Sequence, residues 1–347
     1  MVTRHRPVHN FRAAKFIERR VDGVSNESYS TRTMTTPDEY RAVRERAGLL
    51  DEPAWGVIEV RGTDRVAFLH NLLTQDIKSL QAGSAAEAAL VTPAAKMLAT
   101  PIVLAEADAH WLLTPRPQVE TVLKTLDRYL ITEDVTLADQ RDNQTVLAIQ
   151  GPRSQALLDE AGGAMRRAAY SVTGEPGALV MVPVERAAAL RTQLRQHGAM
   201  PIGWETMNVL RIEAGIPWFG LDIDENTLLP ETGLEGRLVS YTKGCYVGQE
   251  IIARVQTYGN VSRKLMGLLI EGHDVPQPKD AILSSGEPVG HITSACFSPA
   301  LQQPIALGYV KRPFYEAGIA VTVVHVDHAI PATLAKRPFV GGAARTA

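Results

Sequence analysis

The chain has 347 residues, 45% of them hydrophobic and 21% charged, enough to bury a full core and to divide into two or three lobes. A formal net charge of -2 gives no global field to gather polyanions, so strong nucleic-acid binding is not expected, and without a long apolar run no transmembrane helix is expected. Two cysteines, Cys245 and Cys296, build no disulfide scaffold; with no secretory h-region they predict a reducing, cytoplasmic setting.

Residues 1–36 carry Arg4, Arg6, Arg12, Lys15, Arg19, Arg20 and Arg32 against Glu18, Asp22 and Glu27. Such a basic, sparsely apolar arm has no core to fold onto and reads as a disordered extension, or as sequence upstream of a true start at Met34 rather than Met1. Residues 37–260 read as α+β. Pro37 and Asp38 open a helix over 37–48, β-branched Val57, Ile58 and Val60 make a strand, and Asp64 is placed to cap a helix over 64–71. A hairpin-like pair spans 90–103, broken at 93–96, and apolar residues at 119, 122, 123, 126 and 130 make an amphipathic helix. The strand 146–150, a helix begun by Gly151-Pro152, the strand 178–183 and the helix 185–196 repeat the texture of 57–130, which suggests two related subdomains. Residues 261–340 change to short β-rich runs between Gly and Pro turns, the pattern of a small barrel.

The segment KGCYVGQE at 243–250 puts Cys245 between glycines, two residues after Lys243. Glycine frees the backbone for tight geometry and a nearby ammonium favours thiolate, so Cys245 reads as a reachable, reactive thiol with Lys243 as its activator. Cys296, in a strand-like run, reads as core. The two cysteines stand far apart in different lobes without a zinc-type spacing, so no metal is expected. Glu213 stands on an apolar helix face, where a carboxylate must meet donors: an ion pair with Arg211 or Arg254, or the adjacent N–H groups of a pterin edge. Arg254 suits either an i,i+4 pair with Glu250 or a clamp on a carboxylate tail.

Several separated segments carry a resemblance: 47–51, 56–64 and 68–70, the QGP element at 147–152, the RxEAGxP element at 211–217, and KGCYVGQE itself. Together they resemble the YgfZ-type folate-binding proteins, relatives of the glycine-cleavage T-protein. The resemblance implies a three-lobed fold, two related α+β subdomains and a C-terminal β-barrel around a central cleft for tetrahydrofolate or a derivative. It implies that Glu213 grips the folate ring, that Trp55 and Trp204 stack near it, and that Gln249 and Glu250 join Arg254 in holding it. It further implies an accessory role in iron–sulfur cluster assembly or repair, and through it tRNA modification, with iron–sulfur enzymes or assembly factors as partners and Cys245 as the working thiol.

T-proteins move a methylene from an aminomethyl-lipoyl arm to tetrahydrofolate and carry a catalytic aspartate in a hairpin near residues 92–100 of this chain. Here 92–100 reads TPAAKMLAT, with no acid. The expectation is a folate cleft that outlives the transferase chemistry, since acid–base assistance of about 10²- to 10⁴-fold is missing. The other readings are a tetrahydrofolate-dependent aminomethyl- or methyltransferase with Glu87 or Asp76 as replacement acid, and a folate-free scaffold.

Overall fold

Side chains of period two decide how the main sheets stack. In the strand Gln144–Gln150, Val146 and Ala148 face one core while Leu147 and Ile149 face another; Gly177–Pro183 divides likewise, Leu179 and Met181 from Ala178, Val180 and Val182. The computed structural model describes residues 36–50, 54–163, 165–259, 261–326 and 328–341. The expectations of disorder in the basic arm and of a start at Met34 fall on residues outside these.

The first sheet is antiparallel, in the order Ala85–Glu87, Ile102–Ala105, His110–Pro115, Trp55–Arg61, Thr136–Asp139. The second runs Arg166–Ala169, Gly177–Pro183, Gln144–Gln150, Gly48–Leu50, Met200–Ile202, with only the last pair parallel. Their facing sides share a core in which Val57, Leu104 and Leu113 join Val146, Ala148, Leu179 and Met181. Helices Arg65–Leu72 and Val119–Arg128 cover the outer face of the first sheet through Leu69, Val122 and Leu126; Ser154–Ala161 and Val184–Gln196 cover the second through Leu157, Leu158 and Leu194. Apolar burial thus produces a helix–sheet–sheet–helix stack from two α+β lobes.

The helix foreseen over 37–48 ends at Glu45, because Gly48–Leu50 is drawn into the second sheet between Gln144–Gln150 and Met200–Ile202. That insertion explains the glycine of the QGP turn. Gly151 has φ +128°, and a Cβ there would lie 2.6 Å from the carbonyl of Arg46 and 2.7 Å from that of Val43. Thr36 is the observed cap of the first helix, accepting the Glu39 amide at 3.2 Å, whereas Asp64 makes no side-chain cap and instead accepts the Asp134 amide at 2.8 Å.

Six strands close the C-terminal barrel, in the order Arg263–Ile270, Gln303–Lys311, Glu287–Ser298, Ala281–Ser284, Ala320–His325, His328–Ala335. Leu268, Ile282, Ile292, Val310 and Val323 fill its interior. On its outside, Leu265, Cys296, Ile305 and Leu307 pack against Ile212 of the helix Trp204–Glu213, which therefore joins barrel to sandwich. No helix of the described residues is long and apolar enough to cross a membrane.

Candidate active site

Arg237 and Glu87 mark the site. The helix Glu235–Leu238 carries Arg237 toward the edge strand Ala85–Glu87, where its guanidinium grips the Glu87 carboxylate with bonds of 2.7 and 2.8 Å, one to each oxygen. The same guanidinium lies 5.9 Å over the Tyr170 ring. Burial pushes the Tyr170 hydroxyl well above its ordinary range, and the Glu87 charge adds to the push. Arg237 is also strongly desolvated, which alone would lower it, and Glu87 and Tyr170 hold it up. All three nevertheless keep accessible surface, 36% for the Arg237 side chain and 25% for Glu87.

Arg237 also lines a cavity of about 630 Å³ between the sandwich and the barrel, with Ile216, Leu265, Tyr315, Lys264, Lys336 and Arg337. Arg337 is fixed there by the carbonyls of Gly215 (2.9 Å) and Thr232 (2.6 Å). The volume is that of a drug-sized ligand site, and its chemistry combines apolar walls with four cations and one carboxylate, Glu316. The sequence reading missed Arg237, Tyr170 and Arg337; the Arg-Pro-Phe near the end of the chain was the one local sign of Arg337.

The residues foreseen from sequence are distributed differently. Lys243 is buried and donates to the carbonyls of His70, Leu73 (2.6 Å) and Gln75 (3.1 Å), at and just beyond the C-terminus of the helix Arg65–Leu72. An ammonium has three donors, and all three are engaged, so Lys243 is a helix-end staple and not the activator of Cys245. Burial lowers its titration to about 8. Cys245 itself is exposed. Gly248 holds the other end of the loop: at φ +82° it starts the helix Gln249–Tyr258, and a Cβ would lie 2.7 Å from the Thr92 carbonyl. The loop is thus anchored on both sides of the cysteine. Gln249 and Glu250 form the first turn of that helix, Arg254 is exposed on it, and among the described residues no ion pair joins Glu250 to Arg254.

Glu213 has no exposure. Its carboxylate accepts from Tyr40 at 2.7 Å, from Arg44, from Ser298 and from the Ala300 amide at 3.3 Å, while Arg44 also binds Glu175 at 2.7 Å. The donors that its burial demands come here from the protein, and the ion-pair partner is Arg44 rather than Arg211 or Arg254. Trp55 and Trp204 lie in the core. They are 2% and 7% exposed and pack edge-on against Trp218, with centroids 5.6 and 5.1 Å away, inside the shared core. Asp76 serves a turn, accepting the amides of Lys78 (3.1 Å) and Ser79 (3.3 Å) beside His70. Among the described residues no group of three His, Cys, Asp or Glu side chains is placed to hold a metal ion.

Cys296 is 7% exposed and burial pushes its thiol up. A maleimide or disulfide reagent is therefore expected to label one thiol per folded chain, lost in Cys245→Ser, with the second appearing only on denaturation. Two fast-reacting thiols in the native protein would contradict the placement of Cys296.

Two domain families match: the GCVT N-terminal domain over residues 7–165 and the glycine cleavage T-protein C-terminal barrel domain over residues 263–341. An aminomethyltransferase of Synechococcus sp. (strain RCC307) is 30% identical over 322 residues, covering 87% of this chain and 89% of its own. That of Synechococcus elongatus is 30% identical over 328 residues, covering 88% of each. The crystal structure of glycine cleavage system aminomethyltransferase T from Bartonella henselae superposes with a TM-score of 0.81 at 23% identity, over 88% of this chain and 89% of that one, a likeness of fold.

Proposed function

The chain belongs to the aminomethyltransferase family of the glycine cleavage T-protein, and from that membership we propose that it is a tetrahydrofolate-dependent aminomethyltransferase. The observation that carries the reading is whole-chain similarity to aminomethyltransferases at 30% identity. The same finding overturns the iron–sulfur accessory role expected from 243–250, since the relatives that match across the chain carry the transferase name. The engaged Lys243 ammonium removes the physical argument for an activated thiolate as well.

Folate is the ligand class that the 630 Å³ cavity suits. A reduced pterin and its aminobenzoyl ring need flat apolar contact, offered by Ile216, Leu265 and Tyr315, and the glutamate tail brings two carboxylates that Lys264, Lys336 and Arg337 can meet. In the reaction, a carbon leaves its donor nitrogen and sulfur and bonds to N5 and N10 of tetrahydrofolate. The two displaced amine protons end on the departing amine, as ammonium, and on the freed thiol, so no oxidant is required.

The test mixes the protein with tetrahydrofolate and an aminomethylated lipoyl carrier and follows methylene-tetrahydrofolate and ammonia. Stoichiometric release of both, repeated over many turnovers, is expected. Absence of product at high enzyme concentration, with tetrahydrofolate bound in calorimetry, would end the transferase reading.

A further inference from the structure

The cavity read as the folate site has a smaller neighbour, of about 180 Å³, and the two meet at Lys264 and Tyr315, which line both. Tyr315 is fixed there, its hydroxyl donating to the Val261 carbonyl at 3.3 Å. Lys264 stands in the strand Arg263–Ile270 and is exposed, a compact ammonium on a flexible four-carbon stem. Other cations of the large cavity are tied down. Arg237 is engaged by Glu87 at 2.7 and 2.8 Å, and Arg337 donates to the Gly215 and Thr232 carbonyls.

The helix Glu235–Leu238 places Arg237 on the large cavity and Glu235 on the small one. Among the described residues no ion pair engages Lys264 or Glu235. Burial raises the Glu235 carboxyl, and the charges of Lys264 and Arg337 pull it back, so this acid is desolvated and within electrostatic reach of Lys264. Glu316 acts differently. It lines the large cavity and not the small one, and it is exposed, so it is screened and cannot draw Lys264 out of the space where a ligand would sit.

We infer that Glu235 is an internal competitor for Lys264: in the free protein the ammonium is shared between the two spaces, attracted into the small one by Glu235, and a carboxylate of a bound folate tail draws it into the large one. Glu235 thereby sets how tightly tail-bearing folates are held. This rests on the folate reading above. Because Lys264 lines both cavities, the exchange requires rotation about its stem only. The attraction of Glu235 is subtracted from tail binding, and a pterin without a tail is indifferent to it.

The experiment compares tetrahydrofolate with 6-methyltetrahydropterin, which has no tail. Both are titrated by calorimetry into wild type, Glu235→Gln, Lys264→Met and the double variant, with thermal unfolding as the control for folding. Glu235→Gln is expected to bind tetrahydrofolate about threefold more tightly than wild type and the pterin equally well. In the Lys264→Met background the same change should have no effect, since the residue competed for is gone. A ligand-free measurement accompanies these. The rate at which an amine-acylating reagent modifies Lys264, followed by peptide mass spectrometry, should rise about threefold in Glu235→Gln, where the amine is less firmly protonated and stays in the open cavity. An unchanged acylation rate, or a gain in tetrahydrofolate affinity that survives Lys264→Met, overturns the assignment. A wild type that binds neither pteridine while Glu235→Gln still speeds acylation keeps the competition for Lys264 and rejects the folate reading.

Discussion

Arg211→Met is expected to lower the unfolding free energy by about 3–5 kcal/mol, the cost of leaving a buried carboxylate without its partner. Arg211 and Asp222 have no side-chain exposure and meet at 2.6 Å. The guanidinium also bonds Asn208 and Ser294, each at 2.8 Å, and the Ile216 carbonyl at 3.2 Å. Asp222 in turn accepts the Trp218 amide at 2.9 Å and Thr293 at 2.6 Å, so the pair bridges the helix Trp204–Glu213 to a barrel strand. Methionine fills similar volume but leaves Asp222 charged with no solvent exposure. Urea unfolding read by tryptophan fluorescence measures the effect, and Asp222→Asn in the same background should restore part of it. A loss below about 1 kcal/mol would mean that solvent reaches the pair.

The second large effect concerns Glu213. Arg44→Met leaves Glu213 with hydroxyl and amide donors only and strips Glu175 of its cation, and about 3–5 kcal/mol is again expected. The Tyr40 hydroxyl, pushed up to about 12 chiefly by burial and by its bond to Glu213, stays a donor across the working range and cannot take over the charge. Because this network lies apart from the Arg237 cavity, Arg44→Lys, which retains a cation, should bind tetrahydrofolate within about threefold of wild type. A variant that folds normally yet loses tetrahydrofolate would return Glu213 to the ligand and remove it from the structural role.

These cases show where sequence reasoning reached and where it stopped. Alternation in Gln144–Gln150, the spacing over Val119–Arg128 and the turn-rich texture after Arg263 were local signals, and local signals made the lobes and the barrel legible. Gly48–Leu50 was not, since three residues carry no period and the strand exists only because a sheet built from distant sequence recruits it. That Glu213 needed donors could be read from its apolar helix face; that Arg44 supplies one is a tertiary fact spanning 169 positions. Lys243 misled for the same reason. It is two residues from Cys245 along the chain, but its ammonium is directed to carbonyls about 170 positions away. Glu87 was visible as an acid, whereas Arg237, which grips it, lies 150 positions further on.

The junction at Glu213 bears on how the molecule comes apart. Its side chain receives the first helix and a barrel hydroxyl, and its backbone carbonyl accepts the amides of Phe339 (2.9 Å) and Val340 (3.1 Å) near the end of the chain. Opening the barrel alone would strip the buried carboxylate of Ser298 and the Ala300 amide, and the Glu213 carbonyl of its two amides, a penalty that discourages partial melting. Limited proteolysis should accordingly find no long-lived fragment in which one lobe survives the loss of another, and denaturation should proceed as a single cooperative event across all three.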